Sequence, residues 1–474
     1  MKKTFFFINI IAIALVVSLN SHAQKRKHVI QHSPGLNTTA QLNLTETTEE
    51  ITEDSTKANP FEKFHTNFII QDDKNYKKGM ILNPEELKNL DKFLSGCIDK
   101  GAFPGCQVFA SKNGQVIYKK NFGNFTYNIG DPVTDTTLYD IASVSKILGT
   151  TLAVMKLVEQ GKIDLNAPLK NYLDNLTGTD KSNLMIKDLL LHQAGLVAWI
   201  PFYKKTLDSL TGRPSAEIYR VIAEKDYNTA VAARLYMKNS YKDAIWEEIL
   251  NSPLSNKGRY VYSDLDFYFL KAVVESISGM SLDQYLNTLF YEPLGLQHTM
   301  YNPWKKRLAK KCAPTEADDY FRFQTIQGYV HDQGAAMMGG IEGHAGLFSD
   351  VSDMAILMQM LNNGGVYNGI RYFKNETLEQ FTAYGSNLSR RGLGFDKPEK
   401  AKDDGGPASE LCNKSSFGHQ GFTGTCAWAD PTTGIVFIFL SNRVYPSANN
   451  KLINSLDVRT KAQTYIYKAL GYGK

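Results

Sequence analysis

Two hairpin signatures stand at opposite ends of this chain, and together they restrict its fold more than any other feature. The first, GCQVFASKNGQVIYKKNFG, sets two β-rich runs around Asn113-Gly114, a dipeptide suited to a tight two-residue turn. The second, TCAWADPTTGIVFIFLSN, has two apolar strands turning at Pro431-Thr432-Thr433-Gly434. Past Gly161 the intervening chain reads as mostly helical or irregular, with short helices in LMIKDLLLHQAGL and SLDQYLNTLFYEPLGL. A helix with Leu87, Leu90, Phe93, Leu94 and Ile98 on its apolar side precedes the first hairpin, and one from about Arg459 to Leu470 follows the second. Strands at both ends and helices between them predict an α/β domain. Its sheet is assembled from both ends, with a mainly helical region inserted.

The N-terminal residues belong to something else. MKKTFFFINIIAIALVVSLNSHAQ has a basic start at Lys2 and Lys3, an apolar run from Phe5 to Leu19 and small residues around Ser21-His22-Ala23. That pattern predicts a signal peptide over residues 1–23 and an exported protein, periplasmic or secreted, with no stable membrane span after cleavage. No cysteine follows the cleavage site to carry a lipid. Residues 24–80 are polar and rich in Thr, Glu and Asn, without a sustained apolar period, and read as a flexible arm. Residues 81–474 form the expected folded domain. The formal charge is +5, falling to about +3 without Lys2 and Lys3, too little to argue for nucleic acid as a partner.

Soon after the first hairpin comes YDIASVSKILGTTLAVMKLVEQGK. Its largely apolar run from Ile147 to Val158 predicts a buried helix, whose polar first turn carries Ser143 and Lys146. At i and i+3 these side chains share a face, where a lysine can take a serine's proton. A lysine with an ordinary pKa near 10.4 must lose about three units, roughly 4 kcal/mol, to be half neutral at pH 7. Taken alone, the pair has an ordinary reading as an N-cap and a solvated lysine. No G-x-S-x-G elbow, C-x-x-C or H-E-x-x-H is present, which disfavours an α/β-hydrolase and the corresponding zinc sites.

Two further stretches give the pair a context. Tyr262-Ser263-Asp264 lies just before a helix in GRYVYSDLDFYFLKAVVESISG, and His419-Gln420-Gly421 lies in SSFGHQGFTGTCAWAD. With Ser143-x-x-Lys146, these resemble in order and spacing the three motifs of the serine β-lactamase and penicillin-binding protein superfamily. The chain is most similar to the class C β-lactamase branch. GYVHDQGAAMMGG from Gly328 resembles a subgroup of penicillin-binding protein 4B-like carboxypeptidases, and DLLLHQAGL and GHAGLFSDVSDMA extend the likeness. The resemblance implies a β-lactamase/transpeptidase-like fold with an antiparallel sheet flanked by helices. It implies Ser143 as nucleophile, Lys146 assisting its deprotonation and Tyr262 as shared acid/base. His419 and Gly421 are expected on a strand edge facing the substrate, and the backbone N–H groups of Ser143 and Phe422 form an oxyanion hole. No metal or organic cofactor is expected.

Two positions depart from that pattern. The second motif ends in Asp264 instead of Asn, and a carboxylate touching Lys146 would keep the lysine charged, shifting the base role to Tyr262. The third begins with His419 instead of Lys, a weaker anchor for a substrate carboxylate at neutral pH. The resemblance therefore implies a Ser143 acyl-enzyme of the D-Ala-D-Ala carboxypeptidase type on cell-wall stem peptides. A small ester or a weakly hydrolysed β-lactam is the alternative substrate, and a non-catalytic cell-wall binding module the other reading. His331, Asp332 and His344 fit no standard metal spacing and are expected to brace loops around the cleft. The five cysteines are widely spaced and leave at least one unpaired in any disulfide scheme.

Overall fold

The computed structural model describes residues 82–127, 130–255, 257–401 and 405–473. The expected signal peptide and polar arm lie outside the described residues. The two hairpins meet, as their placement requires. β1 (Gly105–Lys112) and β2 (Gln115–Gly123) form the first; β4 (Thr425–Asp430) and β5 (Ile435–Ser441) form the second, with β3 (Phe417–Gly421) added outside β4. The antiparallel sheet runs β3-β4-β5-β1-β2, and its seam joins chain ends through Cys106↔Ser441 to Lys112↔Ile435. Asn113 and Gly114 both have positive φ, 49° and 77°, the geometry that a two-residue turn needs to match strand twist.

β5 is buried along its whole length, and its residues divide between two cores with a period of two. Ile435, Phe437 and Phe439 join Leu90 and Leu94 of α1 (Pro84–Asp99) and Ile466 and Tyr467 of α5 (Val458–Ala469) on one face. Val436, Ile438 and Leu440 pack on the other with α2 (Thr151–Glu159), α3 (Leu265–Ser278) and α4 (Val351–Asn362). A strand covered on both sides reads as an unbroken apolar run, which explains IVFIFL.

The helix after Ser143 departs from its expected form. Residues 142–144 make a 3-10 turn, Lys146–Thr150 a π-helical turn, and only Thr151–Glu159 is α-helical. The burial expected of it holds, since Thr151 to Leu157 are all buried. The inserted region also differs. It contains a small antiparallel sheet of Tyr219–Arg220, Leu235–Met237 and Thr229–Ala232, strands too short for a period to be read in sequence. All five cysteines are free thiols.

Candidate active site

Three structural pieces meet at Ser143. The first is the sharp turn that carries it. Ala142 has φ +46°, and the Asp140 carboxylate holds it there by accepting its N–H at 2.8 Å, while also accepting His331 N–H at 2.7 Å. The second is the entry to α3, where Tyr262 and Asp264 sit; Asp264 N–H donates to the Ala198 carbonyl at 3.0 Å. The third is the edge strand β3. Thr423 and Thr425, which the motif reading passed over, donate their hydroxyls to the carbonyls of Asp140 and Ile141 at 2.7 and 3.0 Å. Their only sequence signal is their position just after the motif glycine. They tie the strand end to the nucleophile turn.

The side chains converge accordingly. Ser143 Oγ accepts from Lys146 Nζ at 3.0 Å and from Tyr262 Oη at 3.0 Å. Lys146 is fully buried and also donates to Asp264 Oδ1 at 2.7 Å and to the His344 carbonyl at 3.2 Å. Burial pushes its pKa down, but the Asp264 and Tyr262 oxygens outweigh that, and the net direction is up. Lys146 is therefore an ammonium at neutral pH. Burial pushes the Tyr262 hydroxyl up, with the Lys146 ammonium pulling against it. The ammonium also lies 4.9 Å from the centre of the Tyr262 ring.

A cavity of about 420 Å³ opens at this cluster, lined by Ser143, Tyr262 and Asp264 together with Trp199, Tyr203, Tyr320 and Phe422. Trp199 and Tyr203 face the cavity, whereas the nearby aromatics Phe202 and Tyr219 are buried. Asp332, His331 and His344 line it too. His344 Nε2 is 2.9 Å from Asp332 Oδ1, and His331 Nε2 is 2.9 Å from Glu316 Oε2. Burial lowers the His344 pKa and Asp332 raises it, with a net upward direction. Asp264, Asp332 and His344 place ligand-type atoms within 4.8 Å of one another. Asp264 is paired with Lys146 and Asp332 with His344, so the trio is built as parts of two ion pairs.

His419 is placed differently from expectation. It is buried behind Tyr262, with ring centres 6.0 Å apart, and does not line the cavity. Its Nδ1 donates to the Gln420 carbonyl at 2.7 Å, and burial, reinforced by Arg391, lowers its pKa to about 3. A neutral imidazole turned inward cannot anchor a carboxylate. Gly421 is required for close approach: a Cβ there would lie 2.5 Å from the Ile141 carbonyl oxygen. Phe422, the next residue, lines the cavity with Ser143.

Comparison with known proteins agrees with this architecture. A family model described as Beta-lactamase matches residues 90–460. A Salmonella typhi protein named "Putative D-alanyl-D-alanine carboxypeptidase" is 33% identical over 400 residues, covering 78% of this chain and 85% of that protein. Among solved structures, "EstCE1, a hydrolase with promiscuous acyltransferase activity" aligns with TM-score 0.59 at 18% identity, covering 81% of this chain and 99% of that one. A penicillin-binding protein homologue from Caulobacter crescentus aligns with TM-score 0.58 at 17% identity, covering 82% and 98%. At these identities the structural neighbours speak to the fold.

Proposed function

The chain belongs to the beta-lactamase family of serine hydrolases, and we propose that it is a D-Ala-D-Ala carboxypeptidase acting through a Ser143 acyl-enzyme on cell-wall stem peptides. The observation that carries the catalytic part is the meeting of Lys146 Nζ and Tyr262 Oη on Ser143 Oγ, each at 3.0 Å, at the floor of the cavity. Identity of 33% to a protein named for that activity supports the substrate class.

Ser143 Oγ attacks the scissile carbonyl carbon while its proton passes to Tyr262. Tyr262 enters this step as a phenolate, a minor form at pH 7 that the neighbouring ammonium of Lys146 stabilises. The tyrosine then gives the proton to the departing amine as the carbon–nitrogen bond breaks. In the second half it takes a proton from water, the hydroxide adds to the acyl carbon, and the bond from that carbon to Ser143 Oγ breaks as the oxygen takes the proton from Tyr262. Lys146, kept charged by Asp264, acts as an electrostatic partner throughout. The backbone N–H groups of Ser143 and Phe422 receive the oxyanion, each such donor being worth about 3 kcal/mol. We place this work outside the cytoplasm, on the basic, apolar and small-residue pattern of residues 1–23.

A second substrate class, a small ester, is favoured by two observations: neutral His419 offers no cation to a terminal carboxylate, and the cavity has aromatic walls. The deciding experiment compares wild type and Ser143→Ala with a fluorescent penicillin, a D-Ala-D-Ala peptide and a chromogenic ester. Ser143-dependent labelling and D-Ala release are expected. Rapid ester turnover without either would move the assignment to the esterase, and Ser143-independent turnover would end the acyl-enzyme reading.

A further inference from the structure

The short helix Ile186–Leu190 ends at a residue that is out of place. Helices commonly stop on a left-handed glycine. Here His192 takes that conformation, with φ +56°, and it is almost wholly buried. A residue with a side chain held there is strained, and such strain persists only where surrounding contacts enforce it. The contacts are unusually focused. The His192 carbonyl accepts Val261 N–H at 2.9 Å, and its Nδ1 accepts Ser263 N–H at 3.3 Å. Those two residues flank Tyr262, whose ring centre lies 4.5 Å from that of His192. One histidine thus grips the tyrosine's backbone on both sides and supports its ring.

A second residue completes the grip. Asp266 Oδ2 lies 2.7 Å from His192 Nδ1, and both side chains are buried. The Asp266 contact is the shorter of the two at Nδ1, and it holds the ring in place. Burial, with Arg391, Lys146 and His419 nearby, drives His192 well below its ordinary value; burial, with Asp264 close by, drives Asp266 well above its own. Lys146 and Arg391 pull Asp266 the other way and Asp188 adds to the rise, without changing the direction. Both directions favour the uncharged forms of the two groups. Beneath a tyrosine that must carry negative charge briefly, a carboxylate would repel the phenolate and an imidazolium would compete with Lys146. A neutral support does neither.

We propose that His192, held by Asp266, is a positioning residue that fixes Tyr262 for proton transfer, an inference that rests on Tyr262 being the proton carrier. The test uses the full chain and the chromogenic ester, with thermal melts to identify folded variants. His192→Asn tolerates positive φ and keeps an acceptor near Nδ1 but removes the ring. It is expected to lower kcat at least 30-fold with KM within threefold. Asp266→Asn retains a hydrogen-bonding group toward Nδ1 and is expected to keep kcat within threefold, whereas Asp266→Ala loses at least tenfold. In a Tyr262→Phe background, adding His192→Asn is expected to change kcat less than twofold, since the group it serves is gone. Full multiplication of the two losses would overturn the proposal, as would an Asp266→Asn enzyme as impaired as Asp266→Ala. Should His192→Asn fail to fold, the two Asp266 variants decide alone. A Tyr262→Phe enzyme with normal kcat would instead remove the premise, and the proton-carrier assignment with it.

Discussion

Asp264 Oδ1 lies 2.7 Å from Lys146 Nζ, and this contact fixes the charge on the lysine that touches the nucleophile. Exchanging the carboxylate for an amide removes the counter-charge while leaving a group of similar shape. Burial, the largest influence on Lys146, then acts with less opposition and lowers its pKa. Asp264→Asn is therefore expected to shift the pH–rate profile of Ser143 acylation toward acid by a unit or more, about 1.4 kcal/mol per unit. Burst kinetics with a fluorescent penicillin from pH 6 to 10 would measure it. An unchanged profile would mean that Asp264 does not govern Lys146.

Wild-type acylation has a predictable pH dependence. Tyr262 is raised above its ordinary value by burial, and Lys146 is also raised, so the ammonium persists while phenolate becomes more abundant. The rate is expected to climb about tenfold per pH unit between pH 7 and 9. Tyr262→Phe is expected to lose at least ~100-fold at pH 8 and to flatten that limb. Near-normal acylation in this variant would return the base role to Lys146.

Gly421 is the position where a single methyl group does most harm to the site's backbone. A Cβ would press on the Ile141 carbonyl oxygen at 2.5 Å and on the Thr425 hydroxyl, and the two threonine bonds keep the strand from moving away. Gly421→Ala is expected to cost about 1–3 kcal/mol of stability and to abolish penicillin labelling. Differential scanning fluorimetry beside a gel-based labelling assay separates the two effects. Full labelling would show that the oxyanion donors lie elsewhere.

The His344–Asp332 pair makes a stability prediction with a definite sign. His344 is raised in the fold, so its contribution is complete below its ordinary value near 6.5 and fades as pH rises through the raised value. Asp332 is held well below the carboxylate range, chiefly by His344 once burial is overcome, so its contribution is complete above about 4 and is lost on acidification. The melting-temperature gap between wild type and His344→Gln should therefore be largest between about pH 4 and 6.5, and should narrow above neutrality. A gap that widens with pH would contradict this.

What could be read from the sequence follows from which features are local. The two hairpins carried their own turn chemistry in Asn113-Gly114 and in the loop ending at Gly434, and the structure joins them through β1 and β5. Ser143, Lys146, Tyr262 and Asp264 were found as motifs, and the structure brings them together. His419 was legible as a motif residue but its direction was not, because the inward turn depends on Gln420's own carbonyl and on the surrounding burial. His192 was visible only as a letter in LLLHQAGL. Nothing local marks a left-handed histidine, since its conformation is set by residues some seventy positions later. The π-helical turn at Lys146–Thr150 was hidden for a similar reason, being one residue out of step with the apolar period that suggested a plain helix.

The seam between β1 and β5 has a consequence for how the molecule is made. A ribosome releases the first hairpin and the nucleophile long before the strand that β1 must pair with. Until the last tenth or so of the chain emerges, β1 keeps an open edge and the donor expected from Phe422 is missing. The chain therefore passes most of its synthesis with its serine exposed but unarmed, and its first competent moment comes only at the end of translation.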